Sequence, residues 1–372
     1  MNYFPSQTPD FHQTMMGHCL RLAGQARGKT APNPLVGAVI VKDGEIIGTG
    51  FHPQAGQPHA EIFALREAGA RAIGATLYVN LEPCNHYGRT PPCTEAIIAA
   101  GIKTVVVAMI DPDERVCGQG IERLQKAGLE VILGVESESA RQLNEAFIHR
   151  VSHRRPFGIL KYAMTLDGKI ATTTGHSTWV TGEASRRFVH ELRSEVDAVI
   201  VGGNTVRQDN PHLTTHGLST HNPLRVVMSR SLELPDNAHL WETSTVPTLV
   251  FTETLTNPIR GKQLSQQGVE VIALASLTPT NVMQSLYERG LSSVLYECGG
   301  RLAAKAIAEG MIQKVVAFIA PKIIGGEGAP NPVGDLGFQD MTQALSLENV
   351  TIKCIEPDIL IQGYLPLPHL YP

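Results

Sequence analysis

Four side chains in the first hundred residues carry dense chemistry: His59, Glu61, Cys84 and Cys93. One imidazole and two thiols make a three-ligand zinc set with a fourth position open, and openness marks catalytic rather than structural zinc. A water in that position ionises near neutral pH. Glu61 stands two residues from His59 and is not needed as a ligand, so it can carry protons to and from that water. The expected metal ligands are therefore His59, Cys84 and Cys93, and the expected catalytic residue is Glu61. A structural zinc site is the competing reading, with His86 as a fourth protein ligand.

The elements that must position these residues alternate between strand and helix. Residues 35–42 read as a strand, Asp43-Gly44 as a hairpin turn, and 45–50 as the returning strand. A helix is expected over 59–70 after Pro58, a strand over 76–81 running into Cys84, and a helix over 93–100 after Pro91-Pro92. Strands at 103–109 and 129–133 and helices at 120–127 and 137–149 complete the first half. His59, Glu61 and Cys93 thus stand at helix starts, where N–H groups and the dipole favour a thiolate. The polar stretch 151–156 reads as a linker, dividing domains 1–154 and 155–372. The second half is again α/β, with strands at 157–164, 197–202, 224–228, 247–251, 270–274, 293–297 and 314–320. Its helices are expected at 183–194, 281–289 and 300–309.

Composition narrows the class. Hydrophobic residues make up 42% of the 372-residue chain and charged residues 18%, which suits a folded protein of two domains. Net charge is −4, with no Lys/Arg run to grip a phosphate backbone, so a nucleic-acid partner is not expected. No apolar stretch reaches membrane-spanning length and no signal peptide is evident, so a cytoplasmic location and a small-molecule substrate are expected. Nothing opposes a homo-oligomer. Six cysteines in this length do not suggest a disulfide scaffold.

Zinc-dependent base deaminases commonly space their two cysteines two residues apart. Here eight residues, Asn85 to Pro92, intervene. The whole string Leu81-Glu82-Pro83-Cys84-Asn85-His86-Tyr87-Gly88-Arg89-Thr90-Pro91-Pro92-Cys93 resembles the deaminase domain of the bifunctional deaminase–reductases of riboflavin biosynthesis. Residues Ala31 to Gly37 and Pro58 to Glu61 resemble the same family. So do Lys161 to Lys169, Ser177 to Thr181 and Glu297 to Leu302 in the second domain.

The resemblance implies a cytidine deaminase-like first domain with a mixed sheet and a dihydrofolate reductase-like second domain. It implies zinc in the first and NADPH in the second. The first would deaminate 2,5-diamino-6-ribosylamino-4(3H)-pyrimidinone 5′-phosphate. The second would then reduce the ribosyl group to ribityl. A deaminase with an impaired reductase-like domain is the alternative.

The residues of the second half agree in kind. No G-x-G-x-x-G is present, so a Rossmann cofactor site is not expected. Gly299-Gly300 alone reads as an ordinary strand-to-helix turn; with the resemblance, Gly299, Gly300, Arg301, Leu302, Ala303, Ala304 and Lys305 become the NADPH phosphate loop. The resemblance adds Ala163, Trp179, Thr205 and Asp209 as cofactor contacts. It places Ser177, Arg193, Leu213, His216 and Glu297 at the substrate, with Lys161 as a polar participant. Arg193 without it would be a solvated helix charge.

Two positions depart from the family pattern. His216 stands where many relatives carry arginine, and Ser229-Arg230 replaces a common Asp-Ser pair. Arg230 is either a solvated loop charge or a partner for the 2′-phosphate of NADPH. In the first half Asn33, His52, His86 and Arg89 surround the expected zinc mouth and are candidates for the pyrimidine or ribose phosphate, although His52 alone reads equally as a loop histidine.

Overall fold

The structure, a computed structural model, describes residues 9–87, 91–114, 116–253 and 257–366. The chain divides into two compact units between Arg154 and Arg155. Among the described residues no helix is long and apolar enough to cross a membrane.

The first unit is built on a five-stranded sheet. Its strands are β1 (Gly37–Lys42), β2 (Glu45–Phe51), β3 (Thr76–Val79), β4 (Thr104–Val107) and β5 (Glu130–Leu133), in the order β2-β1-β3-β4-β5. β1 pairs antiparallel with β2 and β3, while β3, β4 and β5 run parallel. Asp43 and Gly44 take φ values of 51° and 82°, the left-handed pair that a two-residue hairpin demands. The valine and isoleucine runs of β1 and β4 are buried throughout because helices cover both faces. Helix α1 (Pro9–Gly24) covers one face with Phe11, Met15, Met16, Cys19 and Ala23. Helices α2 (Ala60–Ala68), α3 (Cys93–Ala99) and α4 (Gln119–Lys126) cover the other. α2 lies very close on β2: a Cβ at Gly48 or Gly50 would fall 2.3 Å from the carbonyl oxygen of Ala64 or Ala60. Glycine at both positions lets the start of α2, with His59 before it, settle onto the sheet.

Three expectations shift here. No element is expected before residue 35, yet α1 is there. The helix expected over 137–149 is two, α5 (Ser137–Leu143) and α6 (Glu145–His153). They part at Asn144, whose side chain is taken by Leu35: the Leu35 amide donates to Oδ1 at 2.8 Å, and Nδ2 donates to the Leu35 carbonyl at 3.0 Å. Finally, α6 runs through the first half of the expected linker, and Arg154 ends it in the left-handed conformation, φ 52°.

The second unit holds a nine-stranded sheet. The strands are β6 (Phe157–Thr165), β7 (Ala198–Gly202), β8 (Leu224–Met228), β9 (Thr248–Glu253), β10 (Glu270–Leu274), β11 (Ser293–Tyr296), β12 (Lys314–Ala320), β13 (Glu348–Ile355) and β14 (Asp358–Tyr364). Their order is β10-β9-β8-β7-β11-β6-β12-β14-β13. The sheet is parallel from β10 to β12, and β14 and β13 close it antiparallel. Helices α7 (Glu183–Glu195), α8 (Gly203–Asp209), α9 (Pro258–Gln266), α10 (Pro279–Glu288) and α11 (Gly300–Ala308) connect the strands. α8, α9, β13 and β14 are additions to the expected elements. The core gathers Leu160, Ile200, Val226, Phe251, Val294 and Tyr296. In such open parallel sheets the carboxyl ends of the strands are where ligands bind.

Candidate active sites

His59 precedes α2 and makes no side-chain cap, so its ring is directed by other contacts. Cys84 lies in the loop after β3, and Cys93 opens α3 behind Pro92. His59 Nδ1 stands 3.2 Å from Cys93 Sγ and 3.5 Å from Cys84 Sγ. The three donor atoms lie within 4.8 Å of one another, and among the described residues no other His, Cys, Asp or Glu joins the group, His86 included. Tetrahedral zinc, with Zn–S about 2.3 Å and Zn–N about 2.0 Å, sets nitrogen and sulfur ligands about 3.5 Å apart. The set fits zinc in donor type, number and spacing.

The charges fit as well. Without a cation the two thiols share one charge. Hydrogen bonding with Cys93 holds the Cys84 thiol down to about 4, while the same contact, then burial, pushes Cys93 well up. Two adjacent thiolates require a cation beside them. Glu61 is buried, and its Oε2 has no hydrogen-bond partner. Burial raises the Glu61 carboxyl above the ordinary range, and Cys84 adds to the rise. A buried carboxyl oxygen left unpartnered suits a residue that works on water or substrate.

The wall of this site is set by hydrogen bonds. His52 Nδ1 lies 3.1 Å from the Pro58 carbonyl and donates to it. Its Nε2 lies 3.1 Å from Asn33 Nδ2 and therefore accepts. His52 is thus held neutral, and burial lowers its pKa in the same direction. It steadies the residue before His59, whose ring stands edge-on at 5.6 Å. His86 is exposed in the loop after Cys84. Arg89 lies outside the described residues. Two further residues escaped the sequence reading. Asn80 accepts from the Gly37 amide at 2.7 Å and donates to the Leu35 carbonyl at 2.9 Å. With Asn144 on the same carbonyl, it pins the segment that follows Asn33. Bonds that reach 45 and 109 positions along the chain leave no local pattern.

In the second unit, β6, β11 and α7 bring three charges together. Arg193, in the last turn of α7, donates to Glu297 through Nε at 2.7 Å and Nη2 at 3.1 Å, and to the Thr214 carbonyl through Nη1 at 2.9 Å. Lys161 Nζ lies 3.8 Å from Glu297 Oε2. Burial alone would raise the Glu297 carboxyl, but Arg193 and then Lys161 outweigh it and the pKa falls. Burial pushes the Lys161 pKa down despite Glu297. Two cations against one carboxylate leave a positive surplus in a buried place. Arg193 has five N–H donors, of which three are used, so two remain for an anion. Leu213 and His216 flank Thr214, both with left-handed φ, 54° and 50°.

Ser177 donates to Asp209 at 2.9 Å, which joins a residue assigned to substrate with one assigned to cofactor. Trp179 is exposed, with the Arg186 guanidinium 4.5 Å over its ring. Ala163 lies on β6 and Thr205 on α8. Gly299 and Gly300 join β11 to α11 as expected. Space beside Gly299 is open, whereas a Cβ at Gly300 would meet the Asn331 carbonyl at 2.6 Å. The Leu302 and Ala303 amides already donate to the Gly299 carbonyl, and the side chains of Ala303 and Ala304 are buried. The N–H groups of Gly300 and Arg301 are therefore better placed for a phosphate than the rest of that loop. Lys305 is 3.9 Å from Glu309. Arg230 follows β8, is largely exposed and pairs with Glu253 at 3.3 Å.

Four histidines stack beside Arg193. His190 lies on His216 with centroids 4.2 Å apart, His216 meets His212 edge-on at 6.0 Å, and His212 lies on His239 at 3.8 Å. Burial, then His216 and Arg193, push the His190 pKa down to about 4. An unfolded histidine titrates near 6.5, so between about 6.5 and 4 the unfolded chain binds more protons and stability falls as pH drops. The melting temperature of the second unit should fall through that window. His190→Phe keeps a ring in the stack and should flatten part of the slope. A slope identical in variant and wild type would refute this.

Two family models match the chain. That of the cytidine and deoxycytidylate deaminase zinc-binding region covers residues 9–109, and that of the RibD C-terminal domain covers 156–361. The class is therefore a zinc-dependent deaminase region followed by a reductase domain, both α/β with mixed sheets. The chain is 63% identical over 353 residues to the riboflavin biosynthesis protein RibD of Synechocystis sp., spanning 95% of this chain and 96% of that one. It is 44% identical over 353 residues to RibD of Aquifex aeolicus, spanning 95% and 98%. Its fold matches a solved structure of Acinetobacter baumannii RibD with a TM-score of 0.86 at 37% identity, over 96% of this chain and 100% of that one. The chain belongs to the RibD family of bifunctional deaminase–reductases of riboflavin biosynthesis.

Proposed function

We propose that the chain performs two consecutive reactions on one pyrimidine ribotide. Residues 1–154 remove the 2-amino group of 2,5-diamino-6-ribosylamino-4(3H)-pyrimidinone 5′-phosphate by hydrolysis. Residues 155–372 reduce the ribosyl group to give 5-amino-6-(5-phosphoribitylamino)uracil. The observation that carries the reading is the convergence of His59, Cys84 and Cys93 beside the unpartnered Oε2 of Glu61. We place the enzyme in the cytoplasm, acting on a free nucleotide; a net charge of −4 offers little to a polynucleotide.

When bound, zinc supplies a Lewis acid and NADPH a hydride. The protein's own residues do the rest. His59, Cys84 and Cys93 hold the metal. Glu61 takes a proton from the attacking water at Oε2 and passes it to the ring nitrogen. It then takes the proton of the hydroxyl now on the ring carbon and passes it to the amine, which departs as ammonia as the C–N bond breaks. Its raised pKa suits both directions of transfer. Asn33, with His52 behind it, lines the pyrimidine pocket, and His86 stands at its outer edge; Arg89, outside the described residues, is a further candidate for the ribose phosphate. In the second unit Lys161 and Arg193 attract the substrate phosphate while Glu297 orients both. Ser177, Leu213 and His216 form the remaining substrate wall. The Gly300 and Arg301 N–H groups face the cofactor pyrophosphate, with Gly299 and the first turn of α11 behind them. Ala163, Trp179, Thr205 and Asp209 line the cofactor, and Arg230 is a surface partner for its 2′-phosphate.

The test supplies the diaminopyrimidine ribotide with NADPH and follows ammonia release and NADPH oxidation separately. Both should proceed, with oxidation dependent on prior deamination. Ammonia without oxidation would leave a deaminase and overturn the second half of the reading.

A further inference from the structure

Glu82 stands two residues before Cys84 and is buried. Its carboxylate collects four backbone N–H groups. Oε2 accepts from Asp111 at 3.2 Å and Gly118 at 2.9 Å. Oε1 accepts from Gly120 at 2.8 Å and Ile121 at 3.2 Å. These donors belong to the segment leaving β4 and to the start of α4, two parts of the chain that contribute no metal ligand. The Glu82 amide donates in turn to the Met109 carbonyl at 3.0 Å. The fit is tight: a Cβ on Gly120 would fall 2.1 Å from the Pro83 carbonyl oxygen, one residue from Cys84. From the other side, the Thr94 amide donates to the Cys84 carbonyl at 3.3 Å, and the Cys93 amide approaches Cys84 Sγ at 3.3 Å.

We propose that Glu82 is a positioning residue for the metal. Its four N–H bonds hold the Glu82–Cys84 turn where Cys84 Sγ meets His59 Nδ1 and Cys93 Sγ. The inference rests on reading His59, Cys84 and Cys93 as the zinc ligands. A carboxylate is the side chain this place requires. Each of its oxygens is an acceptor, whereas a glutamine would turn one end into an NH2 donor facing two N–H donors. Groups that orient a metal ligand from behind typically change metal affinity by about 10- to 100-fold.

Glu82→Gln is the test, with zinc affinity read by competition against a chromophoric chelator. The visible absorption of the cobalt-substituted protein reports the ligand geometry. Zinc affinity should fall about 10- to 100-fold, and the cobalt bands should shift. A variant that melts lower when metal-free, yet binds zinc as tightly and shows the same cobalt spectrum, would overturn the inference. It would leave Glu82 as a structural residue only. A second measurement uses the wild-type chain and does not depend on the variant folding. Coupling between sites is reciprocal, so zinc loading should slow hydrogen exchange at the amides of Asp111, Gly118, Gly120 and Ile121. Exchange at those four that ignores zinc would also overturn it. A wild-type protein that takes up no zinc would instead overturn the ligand assignment, and the inference with it.

Discussion

Glu61→Gln should keep its metal and lose deamination by about 10²- to 10⁴-fold, the usual worth of a positioned acid–base group. The glutamine has the same shape and sits in the same buried place. It is not a ligand, so His59, Cys84 and Cys93 still present their donors within 4.8 Å of one another. What disappears is the oxygen that can take a proton. Oε2 is the atom without a structural partner, so its loss breaks no hydrogen bond of the fold. Stability should therefore change little, which separates this variant from one that merely unfolds. Removing a carboxylate beside the Cys84 and Cys93 thiols also removes a like-charge repulsion, so zinc content should not fall. Metal analysis and ammonia release on the same sample decide the matter. Ammonia release at the wild-type rate would end the assignment of Glu61 as proton carrier.

The second large effect belongs to Glu297. It is the sole carboxylate in the Lys161–Glu297–Arg193 cluster, and all three side chains are largely buried. Glu297→Gln leaves two buried cations without their anion. Breaking a buried pair in this way costs about 3–5 kcal/mol. The second unit should melt well below the wild type while the first unit keeps its own transition. The pH dependence carries a sign. Arg193 and Lys161 hold the Glu297 carboxyl below its ordinary value against burial. Its contribution is thus complete above the ordinary carboxyl pKa and lost as pH falls through the lowered one. The variant should lack that acid-side loss. Arg193→Met is the useful contrast, because Glu297 then keeps Lys161 at 3.8 Å and the damage should be smaller. Equal melting of Glu297→Gln and wild type would show that the cluster does not support the fold.

The chemistry of this chain was more legible than its scaffolding. His59, Glu61, Cys84 and Cys93 are chemically distinctive residue types at short spacing, and the structure brings the three metal donors within reach of one another. Most strands from β1 to β12 carry buried apolar runs that a periodic reading finds, whereas the apolar residues of β5 and β10 are only partly covered. β13 could not be found that way, because most of its residues are exposed and no face alternates. α1 was missed for a different reason. Its buried Phe11, Met15, Cys19 and Ala23 recur every four residues, so the pattern was present but overlooked. The break at Asn144 and the anchor at Asn80 depend on side chain-to-backbone bonds with distant partners, which no window of sequence contains. The same holds for Glu82, whose four partners are set by the return of β4 and α4 to the zinc loop.

The place of β6 in its sheet bears on how the protein is made. β6 is the first strand of the second unit to leave the ribosome, yet both of its neighbours, β11 and β12, are among the later ones. Phe157 pairs with Ser293, and Lys161 lies opposite Val316, so neither side of β6 can be completed locally. Pairing across such spans is slow, and bare strand edges invite association with other chains in the meantime. Synthesis that stalls before β11 would leave Ile159 and Leu160 without a sheet and Lys161 without the strand that delivers Glu297. The reductive site is thus among the last features of this unit to take shape, and its yield in cells should respond to folding assistance more than that of the zinc site.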